Sequence, residues 1–169
     1  MKCPIGWIVL FVSGFSESLS VPIAGSGRSS NTGLPIITKA PGHRIGRGKT
    51  SISDDDGLTW SVARDTDIPN PGSSLEVIAL ADGRWAMAFN DTERGRHSFA
   101  IALSDDEGLT WKWKRRIEHE GPGEGGFSYP SLIQTSDGRL HVTYSYKRSG
   151  EGATIKHAAF DGNWITQAE

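Results

Sequence analysis

Short apolar runs separated by turn residues are the main pattern of this chain. Three runs occupy 75–80, 85–90 and 97–103, and a fourth strand-like segment follows near 111–117. Residues 140–144 alternate between apolar and polar side chains and are rich in residue types that favour β-strands. No segment keeps the 3.6-residue period of a helix over a dozen positions, so we expect little helix. The pattern predicts an all-β chain.

Two sequence markers recur at nearly the same spacing. The octapeptide Ser-Asp-Asp-Asp-Gly-Leu-Thr-Trp at 53–60 returns as Ser-Asp-Asp-Glu-Gly-Leu-Thr-Trp at 104–111. A strand, an Asp-Gly-Arg turn and a second strand occur around 82–84 and again around 137–139. Two independent markers indicate a repeated unit of about 50 residues, which is the size range of β-propeller blades.

The repeat predicts a partial β-propeller built of four-stranded antiparallel blades. One blade combines the three apolar runs with the fourth segment, and the octapeptide at 104–111 joins its last two strands. The next blade is expected to begin near 129–131 and to run to about Trp164. Part of a preceding blade ends at the first octapeptide.

The octapeptide has a mechanical explanation as a turn between two antiparallel strands. Its Asp carboxylate can accept hydrogen bonds from backbone N–H groups of the turn. Its Gly adopts a positive φ without steric cost, and its Trp folds under the hairpin. We therefore expect a structural role for the whole motif. The positions concerned are Ser53, Asp55, Gly57, Thr59 and Trp60, and then Ser104, Asp106, Gly108, Thr110 and Trp111.

The amino-acid composition disfavours several classes of function for this chain. The chain has 169 residues, 22% of them charged, and a formal net charge of -2. Lys and Arg are scattered among Asp and Glu rather than gathered in a basic stripe, which disfavours nucleic acid as a partner. Cys3 is the single cysteine, so an intrachain disulfide is excluded and a thiolate metal site is not expected. The sequence carries no cofactor-binding motif, and we expect neither a cofactor nor a metal.

The first 48 residues differ from the rest of the chain. Lys2 followed by the apolar stretch 5–12 has the form of a weak signal peptide, which predicts a secreted or periplasmic protein. The alternative is a buried strand in a cytoplasmic protein. Residues 20–48 are rich in Gly, Ser and Pro and indicate a loop or a partial blade. The propeller blades are expected over 49–169, and no apolar run reaches the roughly 18 residues of a membrane span.

The two octapeptides resemble the Asp-boxes, or BNR repeats, of sialidases. Between Lys49 and Ile165 the chain is similar to the bacterial group described as predicted neuraminidases, with matching stretches at 68–73, 82–84, 127–133 and 155–157. The resemblance implies a six-bladed propeller with an active site at its axis, where three Arg hold the carboxylate of a terminal acidic sugar. It also implies a Tyr–Glu pair as nucleophile, an Asp as acid/base and a sialoside-like glycan as partner.

The resemblance supplies candidate residues for this site. Tyr129 lies in a Tyr-Pro-Ser-Leu sequence before an Asp-Gly turn and matches the motif of the nucleophile. Arg94 and Arg96 lie shortly before the second octapeptide, where the family carries an Arg of the triad, and the sequence does not choose between them. Arg44 and Arg47 occupy the corresponding stretch one blade earlier.

Two further groups of polar residues are candidates. Glu124, together with Glu118 and Glu120, lies in a Gly-rich loop before Tyr129, and a carboxylate there could be its partner or a second acid. The other group gathers around the last hairpin and one strand end. In this group His141 would be the acid/base for a uronic or neutral sugar, and the other members would bind that sugar. Its members are His141, Tyr144, Arg148, His157 and Asn90.

Two elements of the sialidase pattern do not occur in this sequence. They are the Arg-Ile-Pro motif, which supplies the first Arg, and the blade that carries the acid/base Asp. Two to three blades do not close a ring, so we expect a truncated product, a fragment of a longer protein, or blades completed by a partner chain. The main hypothesis is a glycoside hydrolase. The alternatives are a non-catalytic carbohydrate-binding propeller and a hydrolase or lyase that acts on a different glycan.

Overall fold

The computed structural model of the protein describes residues 46–51, 58–59 and 61–167. Within them the chain forms nine strands and one short helix, which pair into three antiparallel sheets. The first sheet contains β1 (Arg47–Thr50) and β2 (Arg64–Pro69). The middle sheet contains β3 (Glu76–Ala79), β4 (Trp85–Asn90), β5 (Ser98–Ser104) and β6 (Trp113–His119). The last sheet contains β7 (Gly125–Gln134), β8 (Leu140–Arg148) and β9 (Ala153–Phe160), and it is followed by α1 (Gly162–Thr166). The all-β prediction is confirmed.

The middle sheet is the four-stranded unit that the apolar runs predict. Its strands pair in chain order, and their bounds lie within a few residues of the predicted ones. β4 and β5 are buried over their whole length. Strands covered on both faces need apolar side chains at every position, which explains why the sequence shows continuous apolar runs here rather than alternation.

Each face of the middle sheet packs against a neighbouring sheet. On one face Phe99 belongs to an apolar cluster that includes Phe127 and Leu132 of β7. On the opposite face Met87 belongs to a second cluster, against which Ile68 of β2 packs. Both clusters are fully shielded from water at their centres. Burial of apolar surface on both sides therefore holds the three sheets in succession.

The last sheet differs from the predicted second blade. β7 begins at Gly125, ahead of the expected start, and the sheet has three strands in the described chain. Trp164 lies in α1, which the strand-like pattern did not predict; Asp161 caps this helix by accepting a hydrogen bond from the Trp164 N–H at 2.8 Å. Arg115 of β6 donates to the Trp164 carbonyl at 2.5 Å and lies 4.1 Å from the centre of its ring. The helix thus connects the end of the last sheet to β6, an edge strand of the middle sheet.

The second octapeptide forms the turn between β5 and β6. The Asp106 carboxylate accepts hydrogen bonds from the backbone N–H of Thr110 at 2.8 Å, from its hydroxyl at 2.5 Å and from the Ser104 hydroxyl at 2.7 Å. Gly108 has a φ of 81°, and Trp111 packs against the buried cluster on one face of the middle sheet. Each of these bonds of Asp106 is local, which is the arrangement of a turn support.

Some sequence predictions lie outside the described residues. They concern the segment 1–45 with its signal-peptide alternative, Arg44 within it, and most of the first octapeptide, of which Leu58 and Thr59 are described and Ser53, Asp55, Gly57 and Trp60 are not. The predicted boundary after residue 48 falls inside β1. Among the described residues, no helix has the length and apolar character that a bilayer crossing requires.

The hydrogen bonds of Asp106 make the stability of this turn depend on pH. Replacing Asp106 by Ala is expected to lower the free energy of unfolding at pH 7 by about 1–3 kcal/mol, because three hydrogen bonds are lost. The Thr110 hydroxyl and N–H lower the pKa of Asp106 from 3.8 to about 2. The contribution is therefore complete above the unfolded-state value and is lost as the pH falls to about 2. Urea unfolding followed by tryptophan fluorescence measures it.

The neighbouring carboxylate is the matched control for this prediction. Asp105 is exposed and pairs with Lys112 at 2.7 Å, so Asp105→Ala is expected to change the free energy of unfolding by less than about 0.5 kcal/mol. Equal losses for the two variants at pH 7, or a loss for Asp106→Ala that persists at pH 2, would contradict the turn-support role.

Candidate functional site

A β-bulge in β7 presents Tyr129 to solvent. Ser128 pairs with Ser145 of β8 and Ser131 pairs with Thr143, so Tyr129 and the following proline lie opposite a single residue. An extra residue of this kind bends the strand and re-aims its side chains. We name residues 128–131 the Tyr129 bulge. The side chain of Tyr129 is 63% exposed, although β7 packs one of its faces into the core.

The backbone of Tyr129 is held in an unfavourable conformation. Its φ is 53°, in the left-handed region that bulky side chains rarely adopt. Pro130 follows directly, and a proline favours extended conformations in the residue before it. Such strain costs about 1–3 kcal/mol and persists where the surroundings impose it, often at functional sites. The strained backbone and the exposed side chain therefore make Tyr129 the centre of the candidate site.

Arg96 reaches the Tyr129 bulge from the loop between β4 and β5, residues 91–97. Its carbonyl accepts a hydrogen bond from the Phe127 N–H at 2.8 Å, and its Nη1 donates to the Ser128 hydroxyl at 2.8 Å. Its guanidinium carbon lies 5.9 Å from the centre of the Tyr129 ring, within the range of a cation–π contact. Arg94 is exposed on the same loop. The geometry therefore associates Arg96, rather than Arg94, with the tyrosine.

Asn90 joins the loop to the bulge from beneath. It is 2% exposed, and its Nδ2 lies 3.3 Å from the carbonyls of Arg96 and Ser98 and 3.2 Å from that of Phe127. These three carbonyls belong to the loop, to β5 and to β7. A buried amide used in this way has a structural role, and it does not present a polar group to a sugar.

Glu76 holds the other side of the bulge and was missed by the sequence reasoning. It is 8% exposed on β3, and its carboxylate accepts a hydrogen bond from the Leu132 N–H at 2.7 Å. Burial raises the pKa of Glu76, while the hydrogen bond from Leu132 acts in the opposite direction. A single acidic residue inside the apolar run 75–80 is the signal that could have identified it.

The two other carboxylates of the predicted group bind different tyrosines. Tyr144 is buried and donates its hydroxyl to Glu118 at 2.9 Å, and Tyr146 donates to Glu120 at 2.6 Å. Lys156 also contacts Glu118, at 2.5 Å. Burial, followed by the hydrogen bond to Glu118, raises the pKa of Tyr144, and the hydrogen bond to Glu120 raises that of Tyr146. Both phenols stay protonated, and the buried ring of Tyr144 belongs to the core rather than to a binding pocket.

The remaining candidate residues lie elsewhere on the surface. Glu124 is exposed in the turn before β7, and its carboxylate accepts from the Gly121 N–H at 3.2 Å rather than from Tyr129. Arg148 is exposed near Glu151, 3.8 Å away. Arg47 is paired with Glu93 at 2.8 Å and donates to the Asp67 carbonyl. The described structure does not join these side chains to the Tyr129 bulge.

His141 and His157 form a pair on neighbouring strands of the last sheet. Nδ1 of His141 lies 3.0 Å from Nε2 of His157, which is a hydrogen bond between the two rings. Both lie on the face of β8 and β9 that points away from the middle sheet, as does Thr143, which pairs with His157. The rings bind each other rather than Arg96 or Tyr129.

The Tyr129 side chain is open to solvent at this site. Two surface depressions of the described chain lie elsewhere, one against Trp164 and the other beside Gln134. No group of three or more His, Cys, Asp or Glu side chains suited to hold a metal ion occurs in the described part of the chain. What the Tyr129 bulge offers chemically is a phenol open to solvent beside a fixed positive charge, an arrangement that suits an anionic ligand.

Comparison with known protein families gives one match. Residues 39–142 match the family model described as a BNR repeat-like domain, which is more than half of the chain. The matched residues contain the second octapeptide, the loop 91–97 and the Tyr129 bulge. No curated protein matches the chain.

The strain at Tyr129 can be tested by replacing the side chain. Tyr129→Gly is expected to be more stable than Tyr129→Ala by about 1 kcal/mol, because alanine keeps the steric penalty of the left-handed conformation and glycine does not. This order is the reverse of the usual one. Ser131, whose φ is not positive, is the control: Ser131→Ala should be at least as stable as Ser131→Gly. Urea unfolding measures both pairs, and the ordinary order at position 129 would show that the backbone is not strained.

Proposed function

This chain belongs to the BNR repeat-like domain family, and we propose that it is all or part of a sialidase-like glycoside hydrolase. Domains of this family occur in sialidase-like glycosidases. We further propose that its substrate is a terminal acidic sugar of a glycan and that its three sheets are blades of a β-propeller. The position of Arg96 beside the strained, exposed Tyr129 is the observation that carries the proposal.

The chemistry of an acidic sugar explains why this pair of residues suits it. The guanidinium of Arg96 would bind the sugar carboxylate through charge-assisted hydrogen bonds. The Ser128 hydroxyl, which accepts a hydrogen bond from Arg96, keeps the guanidinium in place. A carboxylate next to the anomeric carbon repels an anionic nucleophile, so a neutral phenol such as that of Tyr129 is better suited to attack. The exposed ring leaves room for the sugar above it.

The proposed reaction needs groups beyond this pair. A base must take the proton of the Tyr129 phenol, and the carboxylates of Glu118, Glu120 and Glu124 are bound elsewhere. We propose that the missing base, the acid and the remaining Arg come from further blades, supplied by a partner chain or by a longer protein. Domain 49–169 would then be the contribution of this chain to the propeller.

One observation favours a second candidate function, carbohydrate binding without catalysis. Arg96 lies beside the Tyr129 ring, and among the described residues no hydrogen bond joins the Tyr129 hydroxyl to a carboxylate. Without a base the pair would bind an acidic sugar and leave its linkage intact. A reaction of His141 and His157 on a different glycan has less support, because their imidazoles bind each other away from the bulge.

Hydrolysis of a fluorogenic sialoside by the complete chain tests the proposal. Tyr129→Phe is expected to lower kcat by about 10³-fold or more while leaving binding of the sugar intact, as for the loss of a nucleophile. Arg96→Ala is expected to weaken binding by roughly 10-fold to 100-fold, because one charge-assisted contact is lost. The assay is run over a range of protein concentrations, since a propeller assembled from several chains gains specific activity as concentration rises.

Arg94→Ala is the matched control, because it removes the same side chain from the same loop without touching Ser128 or Tyr129. It is expected to behave like the unsubstituted protein. Full hydrolysis by Tyr129→Phe would exclude the nucleophile role. Binding of the sialoside without hydrolysis at any concentration would favour the non-catalytic function, and equal effects of the two Arg substitutions would remove the special position of Arg96.

A further inference from the structure

The Tyr129 bulge is held from two sides by the middle sheet. On the side that precedes Tyr129, Arg96 binds the backbone of Phe127 and the side chain of Ser128. On the side that follows Pro130, the carboxylate of Glu76 binds the N–H of Leu132. Tyr129 and Pro130, which lie between these attachments, are the extra length in the strand. The conformation of Tyr129 is therefore fixed by its neighbours on both sides.

A carboxylate at position 76 is costly to keep. Glu76 is 8% exposed, and the described residues contain no cation paired with it. Ile78, which shares the face of β3 with Glu76, packs against the apolar cluster that contains Phe127 and Leu132, so an aliphatic side chain would suit position 76. Burial of an unpaired charge is tolerated where hydrogen bonds compensate for it. The hydrogen bond from the Leu132 N–H, on the strand that carries the bulge, provides this compensation.

β7 needs such a partner because it lies at the edge of its sheet. It pairs with β8 alone, so alternate backbone N–H groups point away from the sheet. The N–H of Leu132 is one that finds its acceptor in Glu76, 2.7 Å away on another sheet. Leu132 itself is 1% exposed, so without Glu76 this N–H would be buried and unsatisfied.

We propose that Glu76 is a positioning residue for Tyr129: by binding the Leu132 N–H it fixes the register of β7 after the bulge and so directs the Tyr129 ring towards Arg96. A one-residue change of register in a strand turns every side chain to the opposite face. Without this hydrogen bond, the β-bulge can form at another position along β7, and the ring of Tyr129 then moves away from Arg96. The kinetic consequence of this role rests on the proposed function; the conformational one does not.

Nuclear magnetic resonance of the tyrosines tests the conformational role directly. The chain has three tyrosines, so ¹³C-labelled tyrosine gives three sets of ring signals, and Tyr129→Phe identifies the one that belongs to position 129. Glu76→Met keeps the length of the side chain and removes its acceptor. It is expected to shift or split the Tyr129 signals while those of Tyr144 and Tyr146 stay in place.

Two further variants separate positioning from a loss of stability. Glu76→Gln keeps an oxygen that can accept from the Leu132 N–H, so it should restore the Tyr129 signals to their original positions. Val77→Ala weakens the same strand by removing apolar contacts on the opposite face, and it should leave those signals unchanged. If Glu76→Met does not fold, Glu76→Asp decides, because it keeps the carboxylate but withdraws it from the Leu132 N–H by one methylene group.

The outcomes distinguish this inference from the proposed function. Unchanged Tyr129 signals in folded Glu76→Met, or in Glu76→Asp where the former does not fold, would overturn the positioning role. Signals that move equally in Val77→Ala would also overturn it. If the protein hydrolyses a sialoside, Glu76→Met should lower kcat by up to about 10²-fold with little change in KM, because a displaced nucleophile affects the transition state alone. Absence of hydrolysis in every variant would count against the proposed function and leave the signals to decide the role of Glu76.

Discussion

Phe99 from one face of β5 packs against Phe127 of the last sheet, while Ala100 from the other face packs in the cluster that meets the first sheet. This burial of the middle sheet on both sides is the constraint on which the rest of the described structure depends. It requires apolar side chains throughout the interior of β4 and β5, and the polar residues of these two strands, Asn90, Ser98 and Ser104, lie at their ends. The residues with chemical interest therefore lie at the boundaries between sheets.

The candidate site belongs to such a boundary rather than to a single sheet. Tyr129 comes from the last sheet, whereas Arg96, Asn90 and Glu76 come from the middle one. Each of the three reaches across to backbone or side-chain atoms of residues 127–132. Hydrogen bonds at this boundary are shielded by the neighbouring apolar cluster, and they hold a backbone conformation that Tyr129 would not adopt on its own.

The strands and the octapeptide turn could be predicted from the sequence because their causes are local. Continuous apolar runs identify β4 and β5, and the spacing of Asp106 and Thr110 carries its own turn chemistry. The bulge could not be predicted in this way, since it depends on contacts between sheets. For the same reason Tyr144 was expected in a binding pocket and lies in the core.

The two sheets that form the site are fastened to each other at opposite edges. On the side of β3 and β4, Glu76 and Asn90 bind β7, and on the side of β6, Arg115 binds α1. Two attachments so far apart remove rotation between the sheets as a rigid-body freedom. If the proposed acidic sugar binds here, adaptation to its size would therefore be left to the loop 91–97, where Gly95 has a φ of 73° and Arg96 lies beside Tyr129. Selectivity among ligands would then depend on the composition of this one loop more than on motion of the β-sheets.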